Sequence, residues 1–181
     1  MHKYKIRKHF LQLRKKKFQN KNKIDFNIIY NLIKKNVEIK GKIIGGYYPV
    51  NYEIDDLEIL KRFENKKIKI ALPKIKKNFN MEFHLWSYKI NLKLNKYGIP
   101  EPDSKNKVYP DILMVPLVAF DKYLNRLGYG AGYYDRLIQA AKRRKKILTI
   151  GLAFDFQKYN KIPINKYDQK LDLVITNKKI F

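Results

Sequence analysis

Twelve residues constrain this chain more than any others: Asn125-Arg126-Leu127-Gly128-Tyr129-Gly130-Ala131-Gly132-Tyr133-Tyr134-Asp135-Arg136. Glycines at alternate positions make a backbone that turns tightly and lets a ligand approach with no Cβ in the way. Upstream, the apolar run Ile112-Leu113-Met114-Val115, closed by Pro116, reads as a buried strand. Downstream, Tyr134, Leu137, Ile138 and Ala141 recur with the spacing of an amphipathic helix. A Gly-rich loop entering a helix presents unpaired N–H groups and the positive end of a dipole, which suits an anion. Arg126 adds a charge with bidentate geometry for phosphate. The loop follows neither G-x-x-x-x-G-K-[ST] nor G-x-G-x-x-G, and alternate glycines also occur in ordinary strand-to-helix turns. Asp135 sharpens the reading. A carboxylate beside a phosphate cradle repels the anion unless a cation such as Mg²⁺ bridges them; otherwise Asp135 is a first-turn acid favoured by the dipole.

The chain of 181 residues is 45% hydrophobic and 31% charged, which fits one globular domain with its own core. No apolar run approaches the roughly 18 residues of a membrane span. The start, MHKYKIRKHF, has no apolar segment or small-residue cleavage site of a signal peptide, so a cytoplasmic location is expected. There is no cysteine, which excludes disulfides and thiolate metal sites. Lys and Arg number 41 against 16 Asp and Glu, a net charge of +25. Such a charge attracts polyanions, yet lysine spread among Ile, Asn and Tyr also fits a solvated coat. Charge alone therefore does not make nucleic acid a partner, and no membrane partner is expected. His2, His9 and His84 lack metal-binding spacing, and Ser87 and Ser104 lack a nucleophile-elbow context.

Residues 3 to 17 predict a basic helix with Ile6, Phe10 and Leu13 along one side, and with Lys3, Arg7 and Arg14 broadly aligned. Asp25 is a helix N-cap ahead of Ile28, Ile29, Leu32 and Ile33. Residues 42 to 48 read as a strand broken by Pro49. Asp55 and Glu58 have capping-box spacing for a helix through Phe63. Ile68 to Leu72, stopped by Pro73, and Met81 to Trp86 alternate like strands. Gly98-Ile99-Pro100-Glu101-Pro102 is rigid and extended, and the last strands lie at Ile147 to Phe154 and Leu171 to Thr176. Alternating helices and short strands predict an α/β fold, a three-layer αβα single domain over residues 1–181 with a mainly parallel, mixed sheet.

Pro116 through Arg136, PLVAFDKYLNRLGYGAGYYDR, resembles the signature of the 5-formyltetrahydrofolate cyclo-ligase (methenyltetrahydrofolate synthetase) family. Leu117 and Leu124 stand where that family commonly has glycine. The resemblance implies an ATP- and Mg²⁺-dependent enzyme that closes 5-formyltetrahydrofolate, mono- or polyglutamylated, to 5,10-methenyltetrahydrofolate with release of ADP and phosphate. It implies ATP contacts from Lys3-Tyr4-Lys5-Ile6-Arg7, which matches a K-x-x-x-R, and from Asn125 through Tyr134. It implies folate contacts from Arg7, Tyr48, Glu53, Glu101 and residues 129 to 133 (Tyr129, Gly130, Ala131, Gly132, Tyr133). Arg126 and Tyr133 would be catalytic, Asp135 and Asp168 would hold magnesium, and a monomer is expected. Two other readings stay open: a basic RNA-binding protein without catalysis, and another ATP-using enzyme with a different acceptor. No RNP1-like sequence is present.

Overall fold

The computed structural model describes residues 2–18 and 23–181. Its frame is set by two strands apolar on both faces, β7 (Ile112–Pro116) and β10 (Leu148–Ala153), in which every residue but Pro116 is buried. Such strands belong in the middle of a parallel sheet covered on both sides. Beside them lie β1 (Ile43–Gly45), β2 (Lys69–Ile75), β3 (Met81–Trp86), the short β6 (Lys107–Val108) and β11 (Leu173–Thr176). The order is β11-β10-β7-β1-β2-β3-β6, parallel from β11 to β2 and antiparallel at β3 and β6. Two hairpins stand outside this sheet: β4 (Leu92–Leu94) with β5 (Pro100–Pro102), and β8 (Ala119–Phe120) with β9 (Arg126–Leu127).

Period two sorts each strand's side chains between the faces. Ile112 and Met114 join the core under α2 (Phe26–Asn36) and α3 (Leu57–Asn65), with Ile29, Ile33, Leu60 and Phe63. Leu113 and Val115 join the opposite core under α4 (Tyr133–Arg144), with Phe120, Ile138 and Val174. The mixed three-layer architecture expected from the sequence is therefore present. A third cluster docks α1 (Lys3–Lys17) on the second hairpin, where Ile6 and Phe10 meet Val118, Ala119, Leu127 and Ile162. Among the described residues no helix is long and apolar enough to cross a membrane.

Several expectations need correction. The buried row of α1 is Ile6, Phe10 and Arg14, with Leu13 only partly covered. The strand expected over 42–48 is three residues long. β2 does not stop at Pro73 but runs on to Ile75. Pro73 and Ile75 turn their nitrogens away from β3, on the side where the β1 pairing has already ended at Ala71. A missing N–H costs nothing there, and the Ile75 amide donates instead to Glu101 at 3.0 Å. The capping box at α3 does not form. Asp55 accepts the Leu57 amide at 3.0 Å, while Asp56 at the N-cap turns inward and caps nothing. The Gly-rich loop is fed by β9, since the β8–β9 hairpin intervenes after β7.

Leu124 holds φ at +65°, a conformation that costs a non-glycine residue about 1–2 kcal/mol. Asp121 over-determines the turn. Its carboxylate accepts the Tyr123 amide (2.9 Å), the Asn125 amide and side chain (both 3.1 Å) and the Ile162 amide (2.9 Å). Leu117, the other residue at a customary glycine position, shows no such strain: its side chain is buried in the α4-side core. Leu124→Gly and Leu124→Ala both lose the side chain, but only glycine relieves the strain. Glycine is expected to be more stable than alanine by about 1 kcal/mol in urea melts. An alanine variant as stable as the glycine one would show that the turn relaxes without cost.

Candidate functional site

The loop expected to cradle an anion has the backbone that this requires. Gly130 and Gly132 hold φ at +110° and +70°, and a Cβ on Gly130 would stand 3.3 Å from the Arg7 guanidinium. Gly132 is the N-cap of α4 and has no side chain to offer, so the first-turn amides stay available to a ligand.

Cations and carboxylates converge around it. Arg126, 7% exposed, donates from Nη2 to Asp135 Oδ1 at 2.8 Å and lies over the Tyr134 ring at 5.7 Å. Burial lowers its pKa while Asp135 raises it. Asp135 Oδ1 also accepts the Gln169 amide at 3.1 Å, which binds the start of α4 to the segment carrying Asp168. Lys3 at the start of α1 is ion-paired with Asp168, whose Oδ2 also takes the Asn165 amide at 2.6 Å. Arg7, one turn on, donates to the Gly128 carbonyl at 2.8 Å. Asp135 Oδ2 and Asp168 Oδ1 carry no hydrogen bond among the described residues. Both carboxylates act on Arg126, and two hard oxygen donors beside one basic cluster suit Mg²⁺, which takes one or two carboxylates and completes its shell with water and phosphate.

Other members of the predicted set fall differently. Tyr4 is exposed at 68% and Lys5 is exposed, and among the described residues neither side chain hydrogen-bonds the loop. Ile6 and Leu127 are core residues beneath it. Asn125 is held by Asp121. The Ala131 carbonyl accepts from Arg136 at 2.6 Å. The Tyr133 hydroxyl shares a hydrogen bond of 3.1 Å with Tyr97 from the β4–β5 hairpin. Glu101 is buried, with its Oε2 on the Ile75 amide, bracing β5 against β2 rather than reaching the loop. Tyr48 is half-buried.

Glu53 sits in a second polar group. Its Oε2 accepts the Val50 amide at 2.9 Å, its Oε1 has no hydrogen-bond partner, and Arg14 Nη1 lies 4.0 Å from that oxygen. Burial pushes its carboxyl up to about 7, while the Arg14 charge, the Val50 amide and the Tyr129 hydroxyl pull it back. A cavity of about 630 Å³ opens beside Glu53, bounded by Phe18, Ile54, Ile59 and Phe154. A larger one of about 710 Å³, between α4 and the β3–β6 edge, is lined by none of the predicted site residues.

Two residues were missed as site members. Arg14, read only as part of a basic stripe, is 1% exposed and donates to the Tyr129 hydroxyl and to the Leu117 carbonyl (3.1 Å). Asp56, next to the capping-box Asp55 and given no role from the sequence, is fully buried. Its Oδ2 accepts the Tyr47 amide at 2.8 Å and its Oδ1 is unpartnered. Burial raises its pKa well above the usual carboxylate range. Tyr47, buried, and Tyr134, half-buried with its hydroxyl covered, feel the charges of Glu53 and Asp56, which places these four groups together. Sequence offered no signal for either residue beyond its charge.

Comparison with known proteins bears on the family and the fold. The model of the 5-formyltetrahydrofolate cyclo-ligase family matches residues 1–177. A 5-formyltetrahydrofolate cyclo-ligase of Mycoplasma genitalium is 33% identical over 140 residues, covering 75% of this chain and 73% of that protein. The structure of the 5,10-methenyltetrahydrofolate synthetase of Aquifex aeolicus superposes with a TM-score of 0.80 at 29% identity, over 99% of this chain and 92% of that one. The synthetase of Mycoplasma pneumoniae superposes with a TM-score of 0.73 at 26% identity, over 98% and 99%.

The buried Asp56 generates a stability prediction. Its raised pKa means that the folded state keeps a proton which the unfolded chain releases above about pH 4, so its contribution to stability falls as pH rises from there. Asp56→Asn keeps an acceptor for the Tyr47 amide and has no proton to lose. The variant should be more stable than the parent at neutral pH, by on the order of 1 kcal/mol or more. Melts across pH should show the advantage shrinking toward pH ~4; a constant gap would show that Asp56 does not titrate in this way.

Proposed function

Because this chain belongs to the 5-formyltetrahydrofolate cyclo-ligase family, we propose that it cyclises 5-formyltetrahydrofolate to 5,10-methenyltetrahydrofolate at the expense of ATP, with Mg²⁺ bound. The observation that carries this reading is the convergence of Lys3, Arg7, Arg126, Asp135 and Asp168 on a glycine loop at an open helix N-terminus. This is an anion site with two carboxylates that an anion alone would not tolerate.

The chemistry needs these parts. A formamide carbonyl is a poor electrophile and its oxygen a poor leaving group. The formyl oxygen attacks the γ-phosphorus, the bond to the ADP oxygen breaks, and an imidate phosphate results. The N10 lone pair then attacks the formyl carbon. Loss of the N10 proton and departure of phosphate, which takes the C–O bonding pair, leave the methenyl bridge. Phosphoryl transfer depends on positioning and charge neutralisation more than on covalent help from the protein. The loop amides and Arg7 would hold the phosphates. Arg126, fixed by Asp135, would face the charge that develops on the moving phosphoryl group. Lys3 exchanges part of its pairing with Asp168 for phosphate oxygen. The Tyr133 phenol, pushed up to about 12, keeps its proton at neutral pH and can donate a hydrogen bond at the loop's mouth. Asp135 and Asp168 would hold Mg²⁺, which when bound supplies positive charge to the β- and γ-phosphates. On the other side, the free Glu53 oxygen would accept pterin N–H donors beside Tyr48.

Purified protein with 5-formyltetrahydrofolate should develop methenyl absorbance only when Mg²⁺ and ATP are both present. Folded protein that gives no product, or product without ATP, would overturn the proposal. Asp135→Asn should cut turnover by roughly tenfold or more and raise the magnesium requirement without lowering the melting temperature appreciably. Unchanged magnesium dependence would reduce Asp135 to a helix-start acid.

A further inference from the structure

Lys3 and Arg7 face the glycine loop, but Arg14 enters the protein. Desolvating a guanidinium costs several kcal/mol unless its donors find acceptors. Here Nη1 reaches the Leu117 carbonyl, Nη2 reaches the Tyr129 hydroxyl, and Nε has no partner. The nearest carboxylate oxygen, Glu53 Oε1 at 4.0 Å, is also without a hydrogen bond. Both side chains are almost wholly buried, at 1% and 3% exposure, so solvent does not screen the pair. An ion pair that stops short of a hydrogen bond and leaves the carboxylate oxygen open is poorly built for stability alone. It is well built to present that oxygen to something else.

The groups facing Glu53 make Arg14 decisive. Tyr47 comes from the end of β1, Asp56 from the start of α3, Tyr134 from α4 and Tyr129 from the loop, and Arg126 stands beyond Tyr134. Arg14 is the cation whose charge acts on Glu53 among these phenols and a second acid. We propose that Arg14 is a positioning residue for the folate side: its buried guanidinium, 4.0 Å from Glu53 Oε1, favours the carboxylate form and leaves that oxygen open to the pterin N–H donors. The same guanidinium fixes the Tyr129 hydroxyl beside Glu53. This rests on the folate reading above.

With Arg14 in place the Glu53 carboxyl already stands at about 7, burial raising it and the Arg14 charge lowering it. Without Arg14 the carboxyl is mostly protonated at neutral pH and loses one of its acceptor oxygens. The test uses Arg14→Met, which keeps the stem, and Arg14→Lys, which keeps the charge and loses the fork. The first readout is the titration of the Glu53 carboxyl by ¹³C NMR, which needs no substrate. The second is the Kd of 5-formyltetrahydrofolate without nucleotide, from about pH 6 to about pH 9. In Arg14→Met the Glu53 midpoint should rise by about one unit or more. Folate binding should weaken roughly tenfold near pH 7 and recover toward pH 9, while the KM for ATP changes less than about twofold. Arg14→Lys should restore most of the midpoint. An unmoved Glu53 midpoint, or equal losses of folate and ATP at every pH, would show that Arg14 only packs. Should the methionine variant fail to fold, Arg14→Gln, neutral and polar, takes its place, and a glutamine variant with parental midpoint and folate Kd would overturn the proposal equally. If the parent protein binds no 5-formyltetrahydrofolate, the folate reading falls, and the NMR titration still decides whether Arg14 governs Glu53.

Discussion

The docking of α1 across the second hairpin is the contact on which the rest of the site depends. Ile6 and Phe10 are buried against Val118, Ala119, Leu127 and Ile162. Burying each contributes roughly 1.5–3 kcal/mol. The Lys3–Asp168 pair, with side chains 28% and 22% exposed, contributes far less once solvent and side-chain entropy are counted. The apolar pair therefore places the helix, and the cations are carried into position by it. Lys3, Arg7 and Arg14 then meet Asp168, the Gly128 carbonyl and the Tyr129 hydroxyl, residues 115 or more positions downstream of each partner. One amphipathic helix joins the beginning of the sequence to its glycine loop.

What that docking encloses is unusual for an interior. Among the described residues, seven buried side-chain polar atoms lack a hydrogen-bond partner. Five of them belong to Arg14, Glu53, Asp56, Arg126 and Tyr134. Each such atom costs about 1–3 kcal/mol, and folded proteins carry few of them. Scattered, they would read as imperfect packing. Gathered on the residues that flank the glycine loop and the Glu53 cavity, they read as groups kept open for a ligand, at a cost met by the cores on either face of the sheet.

The sequence was most legible where the pattern is local and periodic. The bounds of α1, β3 and β7 follow from spacing and from Pro116, and Asp25 caps α2 through its 2.9 Å bond to the Asn27 amide. It was least legible where a neighbour distant in sequence decides. Pro73 reads as a strand end, yet β2 continues because β1 has already stopped beside it. The β8–β9 strands are two residues each, too short to show any period, although they carry the loop and receive α1. Asp55 and Asp56 look interchangeable in sequence; one caps α3 and the other is buried against the Tyr47 amide. Arg14 was the hardest. In a helix where eight of fifteen residues are lysine or arginine, a buried cation looks like its solvated neighbours until Tyr129, Leu117 and Glu53 are brought beside it.

That contrast also bears on the net charge of +25. Among the described residues the buried cations are Arg14 and Arg126, and no lysine is buried. The choice is physical: guanidinium is weakly hydrated, planar and always charged, so it survives desolvation and fixes two acceptors at once, whereas ammonium holds its water. The lysines lie at the surface, where pairs such as Lys23–Glu58, exposed at 66% and 55%, are worth little. The charge excess is therefore mainly a solvated coat. The chemistry proposed for the site would rest on a few side chains, Lys3, Arg7, Arg14 and Arg126, whose positions are set by apolar packing and not by the total charge.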